Sequence, residues 1–304
     1  FIGVDAGGGT WTDAASNQNV AIGNFAMDAA MAGALANTSV GYQSLSGVTS
    51  GDYNTAVGGR ALDSVVTGTG NAAVGYDAGG VYTGGGGVFM GYEAGLSLVS
   101  GDTALIGYQA GKRMVGTGNV GLGYGVLYGA SSTAANNTGT YNTAMGVQAL
   151  RWVSKTVGST GIGAEAGYYI TGSYNTFVGY KSGYGSITSA PYSSGGNNTG
   201  VGYRTLHNTT SGNDNVAIGF NAGIATTSAS GSVMIGSGAG DATTTGNGHV
   251  IIGHNAGGTG NQAGLGNVVI GALAGNAITN AGNEINYCWE EPFVIHMGFA
   301  KSSD

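Results

Sequence analysis

A short phrase recurs along this chain: a small or branched residue, a small residue, a sizeable aliphatic residue, then Gly. Aligned on that Gly, it occurs at Gly3, Gly23, Gly41, Gly58, Gly75, Gly91, Gly107, Gly123, Gly146, Gly163, Gly179, Gly202, Gly219, Gly236, Gly253 and Gly271, sixteen copies. Most steps are 16 to 18 residues, whereas Gly123 to Gly146 and Gly179 to Gly202 are each 23. The two long steps read as one ordinary coil plus about six inserted residues, and a fixed short period of this kind is the signature of a solenoid. No stretch carries the period of a helix, so each coil is expected to run short strand, kink, short strand, turn.

Period-two alternation assigns faces within the phrase. The aliphatic residue before the Gly (Ile22, Val57, Val74, Met90, Ile218 and their equivalents) is expected in the core. The residue before that is mostly small (Ala21, Ser39, Ala56, Ala73, Ala144, Ala217), a face on which another backbone can approach closely. Four residues before the Gly stands Asn in ten copies, among them Asn19, Asn37, Asn54, Asn71, Asn142 and Asn215. Asn tolerates left-handed turns and bonds neighbouring backbone, so it marks the corner entering a strand.

Composition narrows the class. Sixty-four glycines with two prolines, on a period far from three, exclude collagen. Charged residues are 8% of the chain and the net charge is −7, which argues against nucleic acid as a partner, since that needs clustered Lys and Arg. No run of eighteen apolar residues exists to insert in a bilayer, so the chain is expected to be soluble. Cys288 is the only cysteine and allows no intrachain disulfide. The chain begins at Phe1 inside the phrase "FIGVDAG", as a piece of a longer protein would. One thin coil buries few aliphatics against the entropy of ordering a Gly-rich backbone, and with a small-residue face this predicts a homotrimer of parallel chains.

The phrase "NTSVGYQSLSGVTSGDYNTAVGGRAL" (Asn37 to Leu62) resembles the left-handed parallel β-roll repeats of trimeric autotransporter adhesin heads of the YadA-like type. In its seventeen-residue period it is more similar to repeat regions of bacteriophage tail fibres and spikes. The resemblance covers nearly the whole chain and implies an all-β trimer that attaches to a cell surface. Residues 1–282 are expected to form the β-roll and residues 283–304 a connector. In such fibres a self-cleaving intramolecular chaperone can follow, with a motif that begins Ser-Asp. Ser303 and Asp304 are similar to that start, which makes Ser303 a candidate cleavage junction.

Catalytic motifs are weak. "GTGNVG" (Gly116 to Gly121) matches a dinucleotide-binding pattern only because glycine is abundant. His249 and His254 flank one strand and point to opposite faces, so no metal site is expected. Asp77 and Glu93 share the position two after the Gly in consecutive coils and read as a solvated column. Tyr42, Tyr76, Tyr92, Tyr108, Tyr124, Tyr180 and Tyr203, with Phe220, directly follow the Gly and predict an aromatic ladder, either stacking between coils or a sugar platform. The insertions "YGASSTAANNTGTY" (Tyr128 to Tyr141) and "YGSITSAPYSSGGNN" (Tyr184 to Asn198) are the clear protrusions. Trp152, Tyr184 and Tyr192 offer faces for sugar rings there, and Asn136, Asn137, Asn197 and Asn198 offer amides for hydroxyls.

The resemblance, with no catalytic motif beside it, implies a non-enzymatic attachment protein, needing no cofactor, in a virion tail. Its partners would be its own copies, other tail components and a host surface glycan or protein. A bacterial cell-surface adhesin and a polysaccharide depolymerase are the alternatives.

Overall fold

The structure is a computed structural model that describes residues 1–9, 16–130, 137–185, 193–258, 264–275 and 282–287. The chain divides into two compact units at Val157 and Gly158, and each is a parallel β-solenoid. The first holds β1 (Val20–Ile22), β2 (Thr38–Val40), β3 (Thr55–Val57), β4 (Ala72–Val74), β5 (Gly87–Met90), β6 (Thr103–Ile106), β7 (Val120–Leu122) and β8 (Thr143–Met145). The second holds β9 (Thr160–Ile162), β10 (Thr176–Val178), β11 (Thr199–Val201), β12 (Val216–Ile218), β13 (Val233–Ile235), β14 (Val250–Ile252), β15 (Val268–Ile270) and β16 (Ile285–Tyr287).

Every strand pairs in parallel with the next in its unit, in the register of the repeat: Thr38 with Thr55 and Val40 with Val57, Thr199 with Val216 and Val201 with Ile218. The pairing of β15 with β16, Val268 with Ile285, carries the ladder past the last repeat phrase into the segment read as a connector.

Each coil contributes one three- or four-residue strand among the described residues, where two were expected. The second is replaced by alternating left-handed residues. The residue two after the anchor Gly (Gln43, Arg60, Glu93, Gln109) has φ near +55°, as does Leu45 or Leu62 two further on. This reverses successive peptide planes, so amides bond to both neighbouring coils: Arg60 N–H donates to the Tyr42 carbonyl at 2.8 Å and Leu62 N–H to the Ala78 carbonyl at 3.0 Å. Backbone groups are satisfied without a second ladder.

The anchor Gly has φ between +123° and +143°, which side-chain-bearing residues rarely adopt. A Cβ on Gly219 would also lie 2.5 Å from the Gly236 carbonyl of the next coil. Both constraints act on the whole column, which is why Gly is retained there.

Burial within a strand is the reverse of the expectation. The central small residue points into the coil: Ala21, Ser39, Ala56, Ala73 and Ala217 are fully buried. The aliphatic residue before the Gly faces outward, Val57 at 37% and Met145 at 49% exposure. A thin coil has room inside for only one large side chain per layer, and Leu45, Leu62, Leu127, Leu150 or Leu206, four after the Gly, provides it. Where the strand centre is large instead (Phe89, Leu105, Phe177, Met234, Ile251), the position four after the Gly is Gly95, Gly111, Gly183, Gly240 or Gly257. The large strand centres therefore fill their own coils.

Candidate functional site

The Asn column is structural. Asn37, Asn54 and Asn71 are buried. Asn54 N–H and Nδ2 both donate to Asn37 Oδ1, at 2.9 and 3.0 Å, and Asn54 Nδ2 also donates to the Gly68 carbonyl at 2.8 Å. Asn71 repeats the pattern on Asn54 and Gly84. The left-handed corner is one residue earlier, at Gln18, Ala36, Tyr53 or Tyr141, not at the Asn. In β5 the column position is Gly87, and the buried Tyr82 hydroxyl takes over, its one proton shared between the Gly85 carbonyl at 2.7 Å and the Gly101 carbonyl at 3.1 Å. Burial raises the Tyr82 pKa to about 12. In the second unit His249 occupies this column, fully buried, with Nδ1 accepting from Asn267 N–H at 3.2 Å. It is a ladder member, and among the described residues no group of three His, Cys, Asp or Glu could hold a metal ion.

The predicted aromatic ladder forms in part: Tyr42 meets Phe25 edge-on at 6.0 Å and is separated from Tyr76 by Gly59 at the ladder position. In the first unit Tyr76, Tyr92, Tyr108 and Tyr124 stack in sequence, with centroids 5.7, 5.2 and 5.3 Å apart and planes within 15°. In the second, Tyr180, Tyr203 and Phe220 stack at 5.6 and 4.9 Å. Each interior ring covers its neighbours' faces, so the ladder offers solvent edges and phenol hydroxyls. A sugar ring stacks on an aromatic face, and interior faces are occupied.

Beside the ladder, Asp77 is buried and not part of a solvated column. Its Oδ1 lies 3.3 Å from Arg60 Nε, which also meets Asp63 at 3.3 Å. Burial raises the Asp77 pKa, opposed by the Arg60 charge. Glu93 is bound by Lys112 Nζ at 2.6 Å and Gln109 Nε2 at 2.7 Å.

A second aromatic column, five residues after the anchor Gly, lies at the bases of the insertions. At the second insertion Tyr184 stacks on Tyr168 at 5.3 Å and on His207 at 5.0 Å, with Lys181 Nζ 5.1 Å from its ring. Burial raises the Tyr184 pKa to about 12 and lowers that of His207. At the first insertion the Tyr128 ring is sandwiched between guanidiniums, Arg113 from the preceding coil at 4.9 Å and Arg151 from the following coil at 4.7 Å. Trp152 meets Tyr128 edge-on at 6.5 Å and carries Arg151 over its ring at 5.4 Å.

No protein-family model, curated protein or solved structure matches this chain.

The residues expected to bind glycan separate accordingly. Trp152 and Tyr184 sit in these two clusters, both partly exposed. Asn197 is exposed at a left-handed corner, φ +57°. Asn137 and Asn198 are buried and offer no amide at the surface. Asn137 Nδ2 donates to the Arg113 carbonyl at 2.9 Å, and Asn198 extends the Asn column from Asn175. Asn136, Tyr192 and Ser303 lie outside the described residues. The Arg113–Tyr128–Arg151 sandwich was missed because cation–π partners come from coils 15 and 23 residues apart. Aligning the position five after the Gly, which holds Lys112, Tyr128, Arg151, Tyr168, Tyr184 and His207, would have exposed both clusters.

Proposed function

We propose that this chain is the structural and receptor-binding part of a trimeric bacteriophage tail fibre or spike that attaches to the host cell surface, with its solenoid a left-handed β-roll. The observation that carries the reading is the outward aliphatic column. Ile22, Val57, Val74, Met90, Leu122 and Met145 in the first unit, and Ile162, Val201 and Ile218 in the second, are 37–49% exposed at one register position. Contiguous apolar surface of this kind marks an association face, and the regular parallel register within each unit lets identical chains meet it coil for coil. On this reading the chains meet through the aliphatic column, since the small residues are buried within each chain. The resemblance of the repeat phrase to trimeric fibres supports three copies, and the rigid solenoid with two insertions supports attachment through loops.

Sedimentation velocity of the purified chain, paired with adsorption of the labelled chain to a panel of bacterial envelopes, tests the reading. A trimer that adsorbs to a subset of envelopes is the expected result. A stable folded monomer, or a trimer that adsorbs to none, would refute it.

A further inference from the structure

One edge of the second unit carries side chains that the fold does not use. The left-handed position just before the buried Asn column is Gly158, Gly231 and Gly248 in three coils, with φ between +63° and +71°. In three consecutive coils it is instead Tyr174, Asn197 and Asp214, at φ +60°, +57° and +58°. Residues other than Gly take this conformation at a cost, and a bulky ring tolerates it least. A strained position that nothing inside the chain rewards points to a role outside it. Tyr174 is 63% exposed, so a face of its ring is open. Among the described residues its ring has no aromatic or cationic partner, and no hydrogen bond or ion pair engages the exposed side chains of Asn197 and Asp214.

The backbone beneath these three residues is fixed. Asn197 N–H donates to the Ser173 carbonyl at 3.0 Å and Asp214 N–H to the Gly196 carbonyl at 3.1 Å. One residue before each corner, Gly196 N–H donates to Asn213 Oδ1 at 2.8 Å and Asn213 N–H to Ser230 Oγ at 3.0 Å. The corners therefore stand in line at the spacing of paired strands, about 4.8 Å. One edge of the Tyr174 ring approaches Gly158, where a Cβ would lie 3.0 Å from Cδ1, so the missing side chain leaves the ring its place. An open aromatic face matches the apolar face of a pyranose. An amide beyond it donates to and accepts from sugar hydroxyls, and a carboxylate one coil further accepts from them. In a chain of net charge −7, that same carboxylate repels an acidic sugar.

We propose that Tyr174, Asn197 and Asp214 form a binding site for an uncharged hexose unit of a surface polysaccharide. The sugar ring lies on Tyr174, and its hydroxyls bond to the Asn197 amide and the Asp214 carboxylate. This rests on the attachment reading above and names its ligand class.

The test titrates the whole chain with linear neutral oligomers of galactose, glucose and mannose and with an oligogalacturonate of equal length, read by calorimetry and by saturation transfer to the sugar C–H protons. At least one neutral oligomer should bind, and the oligogalacturonate should not. Tyr174→Gly should abolish binding yet melt no lower than the parent, because it restores the residue found at Gly158 and relieves the left-handed strain. Tyr174→Phe should keep most of the affinity, since the ring face does the stacking. Asn197→Gly and Asp214→Gly should each weaken binding by about fivefold or more. Absence of binding by every neutral oligomer, or binding unchanged in Tyr174→Gly, would overturn the site. An oligogalacturonate that binds as tightly as the neutral oligomers would also overturn it. A Tyr174→Gly chain that melts below the parent would show that the ring serves the fold, and the argument from strain would fall. If Tyr174→Gly adsorbs to envelopes as the parent does, the site is wrong as the point of attachment while attachment stands. If the chain binds a neutral oligomer but adsorbs to no envelope, the site stands and attachment falls.

Discussion

Gly79 lies directly against the Phe89 ring of the following coil, so that a Cβ on Gly79 would come within 2.8 Å of Phe89 Cδ2. The two residues share one interior layer, in which glycine at one position makes room for an aromatic ring at another.

This relationship predicts coupled core energetics. Phe89→Ala should cost about 3–5 kcal/mol by opening a cavity, and Gly79→Ala about 1–3 kcal/mol by overpacking and left-handed strain. The double substitution Phe89→Ala with Gly95→Leu recreates the pairing seen with Ala56 and Leu62 and should recover part of the loss. Denaturant unfolding of the three variants checks it; a double variant no more stable than Phe89→Ala would show that the layers do not compensate.

Asn54→Ala should be more damaging than an ordinary surface substitution, by about 3 kcal/mol or more, because it strips acceptors from Asn71 and leaves the Asn37 oxygen and the Gly68 carbonyl short of donors inside the coil. Amide exchange at Asn71 should accelerate along with the drop in stability. Unchanged exchange there would mean that the column is not a coupled network.

Met90→Asp places a charge on the outward aliphatic column without touching the interior, since Met90 is 42% exposed. The chain should keep its circular dichroism spectrum and sediment as a monomer. A trimer retained by this variant and by Val57→Asp would move the association face elsewhere.

His207 gives the second unit an acid sensitivity. Its pKa lies below the ordinary 6.5 because burial disfavours the cation, with Arg204 and Lys181 adding repulsion against the opposing Asn208 hydrogen bond and Glu165 charge. A lowered folded pKa means that the neutral ring is the favoured native form. Its contribution is complete above the unfolded value and is lost as pH falls from about 6.5 through the folded value. Melting measured from about pH 7.5 to about pH 5 should fall more steeply for the parent than for His207→Phe, which keeps the stack on Tyr184. Equal slopes would exclude His207 as the cause.

The chain's own letters were enough to establish the solenoid, its period, the fifteen strands that precede Gly23 and each later anchor Gly, and the Tyr ladder, because each depends on a residue repeated at one offset. Ala61 and Leu62 show what an offset does not carry. Only the left-handed backbone at Leu62 turns it inward, and only then does the strand face bearing Val57 have to point outward. Alternation identifies two faces of a strand but does not say which one the coil encloses; the interior volume of a coil decides that, and it admits Ala56 with Leu62 or Phe89 with Gly95. The Asn column was legible as a repeated letter, yet its burial was not, since Asn also serves exposed turns. The Arg113, Tyr128 and Arg151 cluster depends on coils whose spacing is changed by the first insertion, so stacking alone brought those three side chains together.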